Sequence, residues 1–158
     1  MKTIKMGDFD LELSSIPFDY DFILSLSVLK SHISCQLTGA LKNQFGLLSV
    51  REKIKLHVGG KDIHRGIAEL NRIIKPDFYF VDVVRTLVRA NEVRHGGREA
   101  NLGFMLAGSD PVALDTVGLR LLQRVEPRLA GKSPSVIPHL KHAIDLGLGN
   151  PHLEVKSW

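Results

Sequence analysis

Large apolar residues crowd into three short runs along the chain: Phe22 to Leu29, Asp77 to Val84 and Leu102 to Ala107. The first is broken only by serines, a pattern that fits a strand covered on both faces of a parallel or mixed sheet. The second reads as an equally strong strand and the third as a further one. Between the first two, Ile63, Ile67, Leu70, Ile73 and Ile74 recur at helical spacing. Asp62 is placed to cap that helix, and Pro76 ends it. Strand, helix and strand in this order predict a crossover unit.

The remaining segments fit around this unit. Asp10 to Leu13 predicts a short strand that is polar on one face, with residues 1–20 forming a partial edge element. Leu37 to Gly46 predicts a loop turning into a short helix stopped at Gly46, and Arg51 to His57 a further helical turn. Arg85 to Gly97 is polar and is expected to be a surface loop. Asp110 and Pro111 stand at the N-cap and first position of a helix carrying Val112, Val117, Leu121 and Leu122 inward. Ser133 is expected to cap a last helix from Pro134 to Leu146, ended by Gly147 and Gly149, with residues 150–158 as a tail. The whole predicts one α/β domain over residues 1–158, of two or three layers, with a parallel or mixed sheet flanked by helices.

Length and composition agree with a single globular domain: 158 residues, 44% hydrophobic and 24% charged. Cys35 is the single cysteine, so neither a disulfide framework nor an iron–sulfur cluster can be built on this chain alone. A lone thiol, a polar start from Met1 to Leu13 and no apolar run near the ~20 residues of a membrane span predict a cytoplasmic protein without membrane insertion. Net charge is +4, with −1 over residues 1–50 and +5 over residues 51–158. That excess favours an anionic partner. The basic residues are not clustered with aromatics, which argues against nucleic acid.

Three polar groups interrupt the apolar structure. In the first, Lys30 and His32 follow a buried strand and project to one face. Thr38, Gly39, Lys42 and Asn43 follow in the next loop and helix. A glycine beside a helix start and two ammonium groups suit a carboxylate or phosphate. Read plainly, the same lysines are solvated and Thr38 is a cap. The second group is His57, a candidate base. His139 and His142, three apart, offer half of a metal site or a solvated helix face. The third group is Asp82, Asp110 and Asp115. Asp82 lies in an apolar strand and is expected to need a cationic or metal partner. Asp110 and Asp115 are the further metal-ligand candidates, although Asp110 reads first as a cap.

The run Leu29-Lys30-Ser31-His32, followed by Leu37-Thr38-Gly39-Ala40-Leu41-Lys42-Asn43-Gln44-Phe45-Gly46, resembles the signature of domain-of-unknown-function family 362. Arg51-Glu52-Lys53 with His57, Lys75-Pro76-Asp77 leading to Val81-Asp82, Ala107 to Asp115, and Ala143 to Gly149 follow the same pattern in order, so the resemblance spans about Asp21 to Gly149. It implies a redox-associated setting, since some members carry ferredoxin-type cysteine motifs, which this chain lacks. It also implies that Lys30, His32, Thr38, Lys42, Asn43, His57, Asp82, Asp110 and Asp115 matter. Two departures stand out. Members usually have a longer N-terminal half, and the loop after Asp82 is usually rich in glycine and proline.

Three functional readings follow. The first is an anion-binding domain, an enzyme in one version, in which Lys30 and Lys42 hold a small carboxylate or phosphate, His32 or His57 carries a proton and Asp82 orients one of them. The second is a non-catalytic accessory module docking an iron–sulfur or other redox partner. The third is a metal-dependent hydrolase or lyase using His32, His57, Asp82 and Asp110. Association with a second copy is a further expectation.

Overall fold

The computed structural model describes residues 1–152 and Lys156; part of the tail expected from residue 150 onward lies outside the described residues. The chain opens with a hairpin of β1 (Lys2–Met6) and β2 (Phe9–Leu13), turned by Gly7 at φ +62°. This hairpin is a sheet of its own and not an edge of the main one. It docks by burying Phe9, Leu11 and Leu13. Lys61 fastens it. Its ammonium donates to the Asp10 carbonyl at 2.6 Å and to the fully buried Glu52 carboxylate at 2.6 Å.

The main sheet follows, with β3 (Leu24–His32), β4 (Gln36–Thr38), β5 (Phe78–Val88) and β6 (Arg98–Gly108) in the order β4-β3-β5-β6. β3 and β5 are parallel, and the two outer pairings are antiparallel. The parallel pair is joined by α1 (Ala40–Asn43), α2 (Val50–His57) and α3 (Ile63–Ile74), the expected crossover. Ser49 and Asp62 cap α2 and α3, and Lys75 closes α3 in the left-handed conformation at φ +46°. β5 runs on to Val88, so the expected loop from Arg85 shrinks to residues 89–97; antiparallel pairing with β6 holds the polar stretch extended.

α4 (Pro111–Leu122) and α5 (Pro138–Asp145) complete the fold. The last helix does not run unbroken from Pro134 behind a Ser133 cap. Pro134–Val136 forms a separate 3-10 turn, and Pro138, which has no N–H to give, restarts the chain as α5.

Helices cover one face of the sheet, which makes two layers. α1 and α4 pack against β3 and β5. The expectation that β3 is covered on both faces is therefore corrected. Its serines point inward: Ser25, Ser27 and Ser31 are buried, while Leu24, Leu26 and Val28 are 47%, 64% and 51% exposed. The large inner residue of β3, Leu29, is accommodated from the helix side: at Gly118 of α4 even a Cβ would sit 2.7 Å from its Cδ1. Ser25 Oγ also accepts bonds from Asn43 Nδ2 at 3.0 Å and Gln44 Nε2 at 2.8 Å, tying α1 and the following turn to the strand.

His139, read from sequence as half of a metal site, lies in the core instead. It is fully buried and stacked on His64 at 6.4 Å, and neither of its nitrogens has a partner among the described residues. Burial, reinforced by His64 and Lys42, pushes its pKa down to about 3. The unfolded chain binds this proton at about 6.5. Its contribution to stability is therefore complete above pH 6.5 and is lost as pH falls toward 3. At pH 5 the loss is about 2 kcal/mol at ~1.4 kcal/mol per pKa unit. Replacing an unpartnered buried group by an apolar one is nearly neutral at pH 8. The melting temperature of His139→Leu is thus expected to match the parent at pH 8 and to exceed it by a margin that grows as pH is lowered to 5, as thermal denaturation at stepped pH would record.

Candidate functional site

Toward the carboxyl end of β3, residues of the sheet, α1 and α2 line an open cleft of about 490 Å³. β3 contributes Val28 and Lys30, β4 contributes Thr38, α1 contributes Lys42 and Asn43, and α2 contributes Lys53 and His57. Lys30 pairs with Thr38 across the β3–β4 ladder, which sets both at the rim. Lys53 and His57 are four apart on α2 and so share a helix face. Phe45 forms a wall, with the Lys42 ammonium 4.7 Å from its ring centre and the His57 ring edge-on at 5.5 Å.

The cleft is cationic. Among the described residues no carboxylate pairs with Lys30, Lys42 or Lys53; Lys53 donates to the Gly46 carbonyl at 3.0 Å and Lys30 lies 3.4 Å from that of Asn91. Burial holds the Lys42 ammonium below the usual lysine range, with Lys30 and Lys53 pushing the same way. Burial and Lys42 likewise lower His57. Thr38 Oγ1 is buried and has no hydrogen-bond partner among the described residues.

The first two N–H groups of α1 are not free for a ligand, contrary to the reading of Gly39 as a ligand loop. Asp115, fully buried on α4, accepts from Ala40 N at 2.6 Å and Leu41 N at 3.1 Å. Gly39 is glycine for that carboxylate: a Cβ there would lie 2.2 Å from Asp115 Oδ1. Burial pushes Asp115 up to about 7 against the two N–H bonds. Asn43 is likewise committed, donating to Ser25 Oγ and the Leu26 carbonyl at 3.0 Å each.

Other sequence candidates lie elsewhere. His32 faces a smaller cavity of about 140 Å³ with Ser31, Gln36 and Lys132. Its Nδ1 accepts from Cys35 N at 3.1 Å, which leaves the proton on Nε2. Burial, then Lys42 and His57, lowers its pKa to about 4, so it does not titrate near neutrality as a proton carrier there would. Asp82 is half-buried on the bare sheet face and accepts from Val84 N at 2.8 Å; it orients neither histidine. Asp110 caps α4 through Ala113 N at 2.8 Å and holds Asn150 N at 2.7 Å. Among the described residues no three His, Cys, Asp or Glu side chains converge as metal ligands. The residues that sequence reasoning passed over are Lys53 and Phe45. The spacing of Lys53 from His57 was the signal for the first.

Gly39→Ala is expected to drive Asp115 off the two N–H groups and to cost roughly 3 kcal/mol, the scale of charge-assisted buried bonds. In urea denaturation the double variant Gly39→Ala/Asp115→Ala should lose less than the sum of the two single changes, because both break one contact.

Residues 2–120 match the family described as Domain of unknown function (DUF362). A thylakoid-associated protein of Synechocystis sp. (strain ATCC 27184 / PCC 6803 / Kazusa) is 32% identical over 145 residues, covering 89% of this chain and 42% of that protein. The chain thus spans less than half the length of this curated relative. No solved structure matches. Among the described residues no helix is long and apolar enough to cross a membrane. With three quarters of its length inside the match, and with Lys30, Thr38, Lys42 and His57 of the signature segments gathered at one cleft, the chain belongs to the domain-of-unknown-function 362 family.

Proposed function

We propose that the cleft between β3, α1 and α2 binds a small anionic ligand, a carboxylate or a phosphate. The observation that carries this reading is the convergence of Lys30, Lys42, Lys53 and His57 with no carboxylate paired to the three lysines among the described residues. Like charges held together cost folding free energy unless something neutralises them. An anion would do so and would return Lys42 toward its ordinary pKa. Thr38 Oγ1 supplies a hydroxyl with no other partner, and Phe45 a flat apolar wall for the body of the ligand. Lys30, Lys42 and Lys53 hold the charge. His57, kept largely neutral beside them, is the group able to accept a proton from the ligand, which is how the site would serve an enzyme.

A thermal-shift titration with inorganic phosphate and with citrate in low-salt buffer tests this. A ligand at about 100 times its Kd adds roughly 2.7 kcal/mol, a rise on the order of 5–10 °C for a domain of this size. The shift is expected to shrink with added sodium chloride. It should also shrink as pH is raised through the lowered Lys42 pKa, where the ammonium is lost. Lys42→Ala should weaken binding at least about tenfold. Equal shifts in the parent and in Lys42→Ala would remove the assignment.

A further inference from the structure

We infer that two copies of this chain pack face to face through the bare side of the β4-β3-β5-β6 sheet, with the anion cleft opening at the edge of that contact. The face is built outward by sequence. β3 turns serines in and Leu24, Leu26 and Val28 out. On β5, Phe80 and Val84 are 37% and 47% exposed, and on β6 Met105, opposite Asp82, is 62% exposed. A sheet with a parallel core is normally covered on both sides, and a monomer rarely exposes a continuous apolar patch of more than a few hundred Å². Three strands of this length make roughly 30 × 15 Å of sheet. The exposed Tyr20 and Phe22, which line a groove with Leu24 and Leu26, extend it toward the roughly 800 Å² that each partner buries in a standard interface.

A second copy fits because the face carries both charge signs. Asp82 sits on it half-buried, with no cation paired to it among the described residues, while Lys30 and Arg85 stand nearby on the same two strands without a carboxylate. A twofold interface needs such a self-complementary patch, and a carboxylate taken out of water needs a cation. Docking through the β6 edge is disfavoured. A register shift lies opposite Gly103, at φ +76°, and such a kink blunts an edge. Val28 and Lys30 belong both to this face and to the cleft, so the partner copy borders the cleft. That last link rests on the anion-binding reading; the interface itself does not.

Sedimentation equilibrium of the 158-residue chain at about 50 µM, a range where a micromolar dimer is assembled, is expected to give twice the 17.5 kDa chain mass. Leu26→Asp and, independently, Met105→Asp are expected to give monomers with an unchanged far-ultraviolet circular dichroism spectrum, since both side chains are already exposed. Val136→Asp, 54% exposed beside α5, is expected to leave the dimer intact. A parent that sediments at the chain mass overturns the inference. So does a dimer that persists in folded Leu26→Asp and Met105→Asp, because it would place the contact on another surface. Phosphate binding is followed separately in the same samples. A dimer without binding sinks the anion reading alone, and binding by a monomeric parent sinks the interface alone.

Discussion

The cleft hangs on one contact, the Asp115 carboxylate against the backbone N–H groups of Ala40 and Leu41. α1 has only four residues, too few to hold itself in water. Its first turn is fixed from outside, by a carboxylate delivered from the neighbouring α4. Gly39 makes room for that approach, and Asn43 and Gln44 then pin the other end to Ser25 of β3. Lys42 is carried between these two anchors. A chain of polar contacts from α4 through α1 to β3 therefore decides where the ammonium sits, although Asp115 itself does not line the cleft.

The same contacts explain the inverted strand. The inner Ser25 of β3 is met by the amide side chains of Asn43 and Gln44, and the inner Leu29 is met by Gly118 of α4. A leucine at position 25 would lose both amide bonds. The large residues are left for the other side, where nothing within the described residues covers them. One strand thus carries two layers: a tight, polar-pinned inner layer and an outward apolar layer left exposed.

These arrangements were unequally legible in the sequence. The α3 cap at Asp62, its apolar stripe, the crossover from β3 to β5 and the Asp110-Pro111 start of α4 follow from local chemistry, and local chemistry dominates there. Which face of β3 points inward does not. Period-two alternation separates the serines from the large residues, but only the approach of helices distant in sequence says which set is inside. Asp82 misled for the same reason: an acid in an apolar strand reads as buried, and its side chain is on the open face. His139 and His142 read as a solvated pair or half a metal site. Packing of α5 against α3 puts His139 in the core and leaves His142 3.5 Å from Asp62, both partly exposed. At the site, Lys30, Thr38, Lys42 and His57 were recoverable from motif order. Lys53 was recoverable from its spacing to His57, whereas the commitment of Gly39 to Asp115 depends on a contact 76 residues away in the chain.

Charge placement sharpens the functional reading. The carboxylates near the cleft are engaged elsewhere. Glu52 lies on the same helix as Lys53 and His57, yet it is buried against Lys61 and Lys55. Asp115 spends both oxygens on backbone, and Asp82 turns to Val84 N. A fold shaped by stability alone would gain from one acid placed among Lys30, Lys42 and Lys53, since unneutralised like charges in a partly buried setting oppose compaction. Lys42, its pKa lowered first by burial and only then by Lys30 and Lys53, has no such acid paired to it among the described residues. The acids nearest these lysines all have other partners, so the positive charge of the cleft is not balanced from among the described residues.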